Sequence, residues 1–237
     1  MARTENEDRE GRILDAAAQL IAHFGYDKTT VSDIAREAGI SKGAVYLHFE
    51  SKEALFEALL IREMMTYALN WLALLEKDEA GGTLGGMYKS MLYALSDNPF
   101  MAALFRQDRH ILGNYVRKPD NFFKRFQEGQ SSSTRFEFVH RMQAAGALRD
   151  DLDPQVITHI MNMLAYGLVS MDGVIPAEET PELDDLIEGI AVMMDRALMS
   201  PDPTKADIGK QIVREIVDEA YQRYEQLEKS EQEQTEQ

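Results

Sequence analysis

Between Thr29 and Lys52 the chain reads TTVSDIAREAGISKGAVYLHFESK, and this stretch holds the residues best placed for chemistry with a polyanion. From Ser41 to Phe49 there is no carboxylate, while Lys42 and His48 are present. Ala35 is small where a second helix would have to approach, Gly39 suits a turn with a positive backbone angle, and Ile34, Ile40 and Val45 can fill the angle between two short helices. Such a helix-turn-helix would expose Lys42, Gly43, Ala44 and Tyr46 on its second helix. Small residues there let the backbone enter a DNA major groove, and the helix dipole favours a phosphate nearby. An ordinary helical hairpin accounts for Ala35 and Gly39 equally well.

The elements that must position this segment are helical throughout. Apolar residues recur at helical spacing and no stretch alternates with period two, which predicts an all-α fold. A first helix is expected from about Arg9 to Phe24, stopped by Gly25. A second is capped by Thr30, with Asp33 as its capping-box partner, and ends at Ala38. Ser41 caps a third, to about His48, and Ser51 caps a long fourth that runs to the glycines 81, 82, 85 and 86. Prolines and caps then divide the remainder into helices near 86–97, 99–112, 120–146, 154–173, 181–199 and 205–228. Residues 229–237 are polar and of low complexity, and read as a disordered tail. The expected domains are 1–52 for DNA binding and 53–228 for ligand binding and dimerisation.

The continuation VYLHFESKEAL from Val45 to Leu55 resembles the signature that follows the recognition helix in TetR (tetracycline-repressor-like) family regulators. The upstream residues Ile13-Leu14-Asp15-Ala16-Ala17, Leu20, Phe24-Gly25-Tyr26, Thr29-Thr30-Val31 and Ile34-Ala35 are similar too. The resemblance covers roughly residues 9–60. It implies a sequence-specific transcription regulator, a repressor released from operator DNA by a small, mainly apolar effector. It also implies that Thr30, Ser32 and Lys52 contact phosphates with Tyr46 and His48 beside them, and that Lys42, Gly43 and Ala44 face base edges behind the capping Ser41. Lys42, the one long side chain at the front of that helix, is the candidate reader of a base, with guanine its usual partner. Part of the Tyr46 ring is expected in the core, and His48 reads equally well as a surface imidazole. The chain lacks a basic N-terminal arm: Arg3, Arg9 and Arg12 alternate with Glu5, Glu7, Asp8 and Glu10.

Charge permits this reading without predicting it. The net charge is -16, and residues 1–56 carry 7 basic and 10 acidic side chains. There is no cysteine, which excludes disulfides and thiolate metal sites. The five histidines show no zinc spacing, and no nucleophile elbow occurs, so neither catalysis nor a metal or other cofactor is expected. The polar start and the lack of a long apolar run predict a cytoplasmic protein with no membrane partner. Glycines 81–86 lack the strand and the Gly-Lys of a phosphate loop and read as a flexible connection.

Thirteen methionines suit an adaptable apolar pocket. The resemblance places that pocket among the fifth to eighth helices, with Met64, Trp71, Met91, Phe105, Phe126, Met163 and Tyr166 as candidate lining. A homodimer is expected through helices 154–173 and 181–199, which carry Ile157, Ile160, Met161, Leu164, Leu168, Leu186, Ile190 and Met193. A helical protein-interaction module and, more remotely, an enzyme are the rival readings.

Overall fold

The computed structural model describes residues 2–106, 108–122, 124, 133–170 and 180–235. These residues form helices and no sheet; Leu148 and Met199 make one isolated bridge. In chain order the helices are α1 (Ala2–Phe24), α2 (Val31–Glu37), α3 (Lys42–Tyr46), α4 (Lys52–Lys77), α5 (Leu84–Ser96), α6 (Pro99–Phe105), α7 (Arg109–Leu112), α8 (Thr134–Ala144), α9 (Pro154–Ser170), α10 (Leu183–Leu198) and α11 (Ile208–Thr235). Short 3-10 turns stand at Tyr115–Arg117 and Pro203–Lys205.

The chain divides into two compact units, Met1–Tyr67 with Asn98–Ser131, and Ala68–Asp97 with Ser132–Gln237. The first of these units takes in α4 as far as Tyr67. Phe56, Leu59 and Leu60 of α4 are fully buried in the core of the first unit, alongside Ile13, Ile21, Ile34 and Val45. Phe100, Ile111, Leu112 and Tyr115 join the same core, although the sequence separates them widely from it. The Tyr26 amide donates to the Ile111 carbonyl at 3.0 Å. Asp27 accepts from the Asn114 amide at 3.1 Å, and Tyr115 donates to Glu57 at 2.6 Å.

The second unit is held by close backbone approach. Glycines 81–86 do not form a loose connection. A Cβ on Gly82 would meet the Ala206 carbonyl oxygen at 2.2 Å, one on Gly85 the Ala191 oxygen at 2.2 Å, and one on Gly86 the Ala80 oxygen at 1.9 Å. None of these three has a positive φ, so space and not backbone freedom is what demands glycine there. Asp195 of α10 accepts from the Gly85 amide at 2.7 Å and the Thr83 hydroxyl at 2.8 Å. It thereby satisfies exposed donors at the start of α5. Tyr88 donates to the Met161 carbonyl at 2.5 Å, and burial pushes its phenol up to about 12.

Two expected helices are interrupted by caps. The stretch 99–112 is broken, because Asp108 caps a new turn by accepting from the His110 amide at 2.8 Å. Within 120–146 the described helix starts only at Thr134, where the Ser133 hydroxyl accepts from Phe136 at 3.2 Å. At the other end, α11 continues through Thr235 rather than fraying at 229. Glu, Gln and Lys are good helix formers, and no proline or glycine interrupts them there. By length and composition α4 is apolar enough to cross a membrane, contrary to the sequence expectation. Leu55, Leu59, Leu60 and Leu75 of this helix are core residues, and most of its other apolar side chains are half-buried.

Candidate nucleic-acid interface

Local hydrogen bonds fold the segment from Thr30 to Lys52. The Thr30 hydroxyl accepts from the Asp33 amide at 3.2 Å, while Asp33 accepts from the Thr30 amide at 3.3 Å and from its hydroxyl at 2.6 Å. That hydroxyl contact, more than any other, holds the Asp33 carboxyl below the usual carboxylate range. Gly39 takes a φ of +69° and turns the chain. The Ser41 hydroxyl accepts from Ala44 at 3.1 Å and starts α3, and that of Ser51 accepts from Ala54 at 3.0 Å and starts α4. Val31, Ile34, Ala35 and Val45 face inward, which places the two short helices against each other and α1.

The face left outside carries most of the expected contact residues. Thr30, Ser32, Ser41, Lys42, Gly43 and Tyr46 are exposed; Ala44, His48 and Lys52 are half-buried. Lys42 Nζ lies 5.8 Å from the centroid of Tyr46, its neighbour one turn on. Lys52 is turned inward: its Nζ stands 4.1 Å from the Tyr26 ring centroid. Burial lowers its pKa, opposed by the nearby Asp27 and Glu53. Glu53 in turn accepts from Lys118 at 2.5 Å, which holds its carboxyl below the ordinary range. Sequence reasoning left out Leu47, which is 85% exposed at the end of α3.

The expected pocket residues are divided between the two units. Met64 and Phe105 belong to the first unit, Trp71 and Met91 to the second. Trp71 is half-buried and donates to the Met87 carbonyl at 3.3 Å, and Met91 is buried. Met163 and Tyr166 stand on the outer face of α9, each 54% exposed, with Val156 and Ile160. The inner face of α9 is formed instead by Ile157, Met161 and Ala165. Phe126 lies outside the described residues.

A two-helix turn with a carboxylate-free second helix suits DNA, and residues 13–59 match the family described as bacterial regulatory proteins, tetR family. Residues 13–59 thus carry a TetR-family DNA-binding region. An HTH-type transcriptional repressor of Mycobacterium tuberculosis is 27% identical over 164 residues, covering 68% of this chain and 81% of that protein. The fatty acid metabolism regulator protein of Bacillus subtilis is 27% identical over 68% of this chain and 88% of its own length. Among solved structures, the ketosteroid transcriptional regulator KstR2 of M. tuberculosis aligns at a TM-score of 0.54 and 19% identity, over 81% of this chain and 95% of that one. That likeness bears on the fold. With this region and these relatives, the chain is a DNA-binding regulator of transcription.

Proposed function

We propose that the protein is a homodimeric repressor that leaves its operator when a small, mainly apolar effector binds the second unit. The observation that carries this reading is the exposed, carboxylate-free face of α3, Lys42 to Tyr46, presented by a tightly capped helix-turn-helix. Lys42 reads a base, Gly43 and Ala44 let the helix approach, and Thr30, Ser32, Ser41, Tyr46 and His48 meet the backbone. Lys52 reaches a phosphate by leaving the face of Tyr26. Such a regulator works in the cytoplasm, where the chromosome is.

One recognition helix reads too little sequence, so two must be held about 34–36 Å apart. The apolar stripe Val156, Ile160, Met163 and Tyr166 on α9, together with Leu183, Val192 and Met193 on α10, supports an isologous contact there. Relatives named for fatty acid metabolism and ketosteroid regulation fit an apolar effector, as do the buried Met87, Met91 and Met161. Helix α4 is continuous between the two units and is the element through which the effector acts.

The only tryptophan, Trp71, lies on that helix and provides the test. Its fluorescence is expected to change on titration with an apolar effector. Saturating operator DNA should shift the titration to higher effector concentration by about 5- to 150-fold, because linkage is reciprocal. An effector that binds with the same affinity in the presence and absence of operator would contradict the regulatory role.

A further inference from the structure

Leu47 is the most exposed large apolar side chain described in the molecule, at 85%, and it is fixed rather than loose. Its backbone is αR (φ -75°, ψ -21°), and its amide donates to the Gly43 carbonyl at 3.2 Å. A leucine at a helix end leans back over the residues three and four positions earlier. Those residues are Ala44 and Gly43, so nothing larger than a methyl group stands in that turn.

Gly43 itself is unexplained by the fold. A Cβ there would meet only the Ser41 hydroxyl oxygen at 3.9 Å, an ordinary contact, and its φ is not in the left-handed region. A helical glycine costs roughly 1 kcal/mol against alanine. The chain therefore carries, in the first turn of α3 and next to Lys42, a glycine that its own packing does not require, one turn ahead of an exposed leucine. A low, partly apolar face of this kind suits close approach by a partner that presents an apolar group. Of the groups displayed on base edges in a major groove, the apolar one is the thymine methyl.

We infer that Leu47 is a specificity-determining residue whose isobutyl group packs on a thymine methyl in each half-site, with Gly43 clearing the approach. This rests on the DNA-binding reading above. The test begins with the operator that the full-length wild-type protein selects from random duplexes. Each thymine of one half-site is then replaced in turn by deoxyuridine, which removes the methyl alone. At one position the replacement should weaken wild-type binding about fourfold, the worth of one buried methyl. The same replacement should leave Leu47→Ala binding unchanged, because that variant has already lost the contact. Gly43→Ala, which keeps the leucine, should blunt the wild-type response at that same position. The inference is overturned if every deoxyuridine weakens wild type and Leu47→Ala alike, or if Leu47→Ala loses affinity equally for operator and random DNA. Failure of the wild type to select any sequence would overturn the DNA-binding reading as well. Because Leu47 is exposed, helical content should be the same in Leu47→Ala and wild type.

Discussion

Replacing Ile160 and Met163 together by glutamate is expected to yield a folded monomer that no longer holds its operator. Both side chains are exposed on the outer face of α9, 41% and 54%, so the second unit keeps its core of Ile157, Met161 and Ala165. Glutamates at these positions would be buried against their own symmetry mates, and unpaired buried carboxylates are strongly disfavoured. A monomer reads one half-site, so operator affinity should fall at least about a thousandfold, toward the level of non-specific binding. Sedimentation and operator titration at the same protein concentration check this. A variant that stays dimeric and binds as before would place the dimer contact elsewhere.

The second large effect falls on Gly25, and Gly39 serves as its control. Both have positive φ, +81° and +69°. Around Gly39 nothing lies within 4 Å of a built Cβ, so Gly39→Ala should cost only the left-handed backbone, roughly 1–2 kcal/mol. At Gly25 the same Cβ would stand 2.1 Å from the His110 carbonyl oxygen. Relief requires α7 to withdraw, which breaks the bond from the Tyr26 amide to Ile111 and opens the core around Tyr115. Gly25→Ala should therefore lose about 3 kcal/mol or more, the backbone cost plus that of overpacking. Urea unfolding should show the difference as separate midpoints. Coincident midpoints for the two variants would mean that α7 does not press on Gly25.

What was legible in the sequence is what is decided locally. Thr30 and Asp33 are three residues apart and cap α2 on their own, and Gly39 turns the chain whatever surrounds it. The same holds for Ser41 and Ser51. Contacts between distant residues left no such mark. Nothing in the stretch from Asn98 to Asn114 indicates that it completes the core under α1 and α4, because Tyr26 meets Ile111 through backbone atoms that every residue has. Glycines 81–86 were ambiguous for a physical reason: a flexible joint and a close backbone crossing both require a missing Cβ. Periodicity likewise gives α9 two apolar stripes and does not tell which one faces its own core. Ile157 and Met161, expected at a dimer contact, are core residues, while Met163 and Tyr166, expected in a pocket, share the outer face with Ile160. Asp108 and Ser133 were readable caps that the longer apolar pattern overrode.

The central claim is that the α3 face reads DNA sequence. The most direct measurement is a mobility-shift titration of wild type and Lys42→Ala on the selected operator and on random duplex of equal length. Lys42 is exposed on a capped helix, so its removal leaves the fold intact. Wild type should prefer the operator by about a thousandfold or more. Lys42→Ala should lose about 5- to 150-fold on the operator, the worth of one good base contact, and only a few-fold on random DNA. Equal loss on both would reduce Lys42 to a phosphate contact. A wild type that binds the two duplexes with the same affinity would contradict the account as a whole.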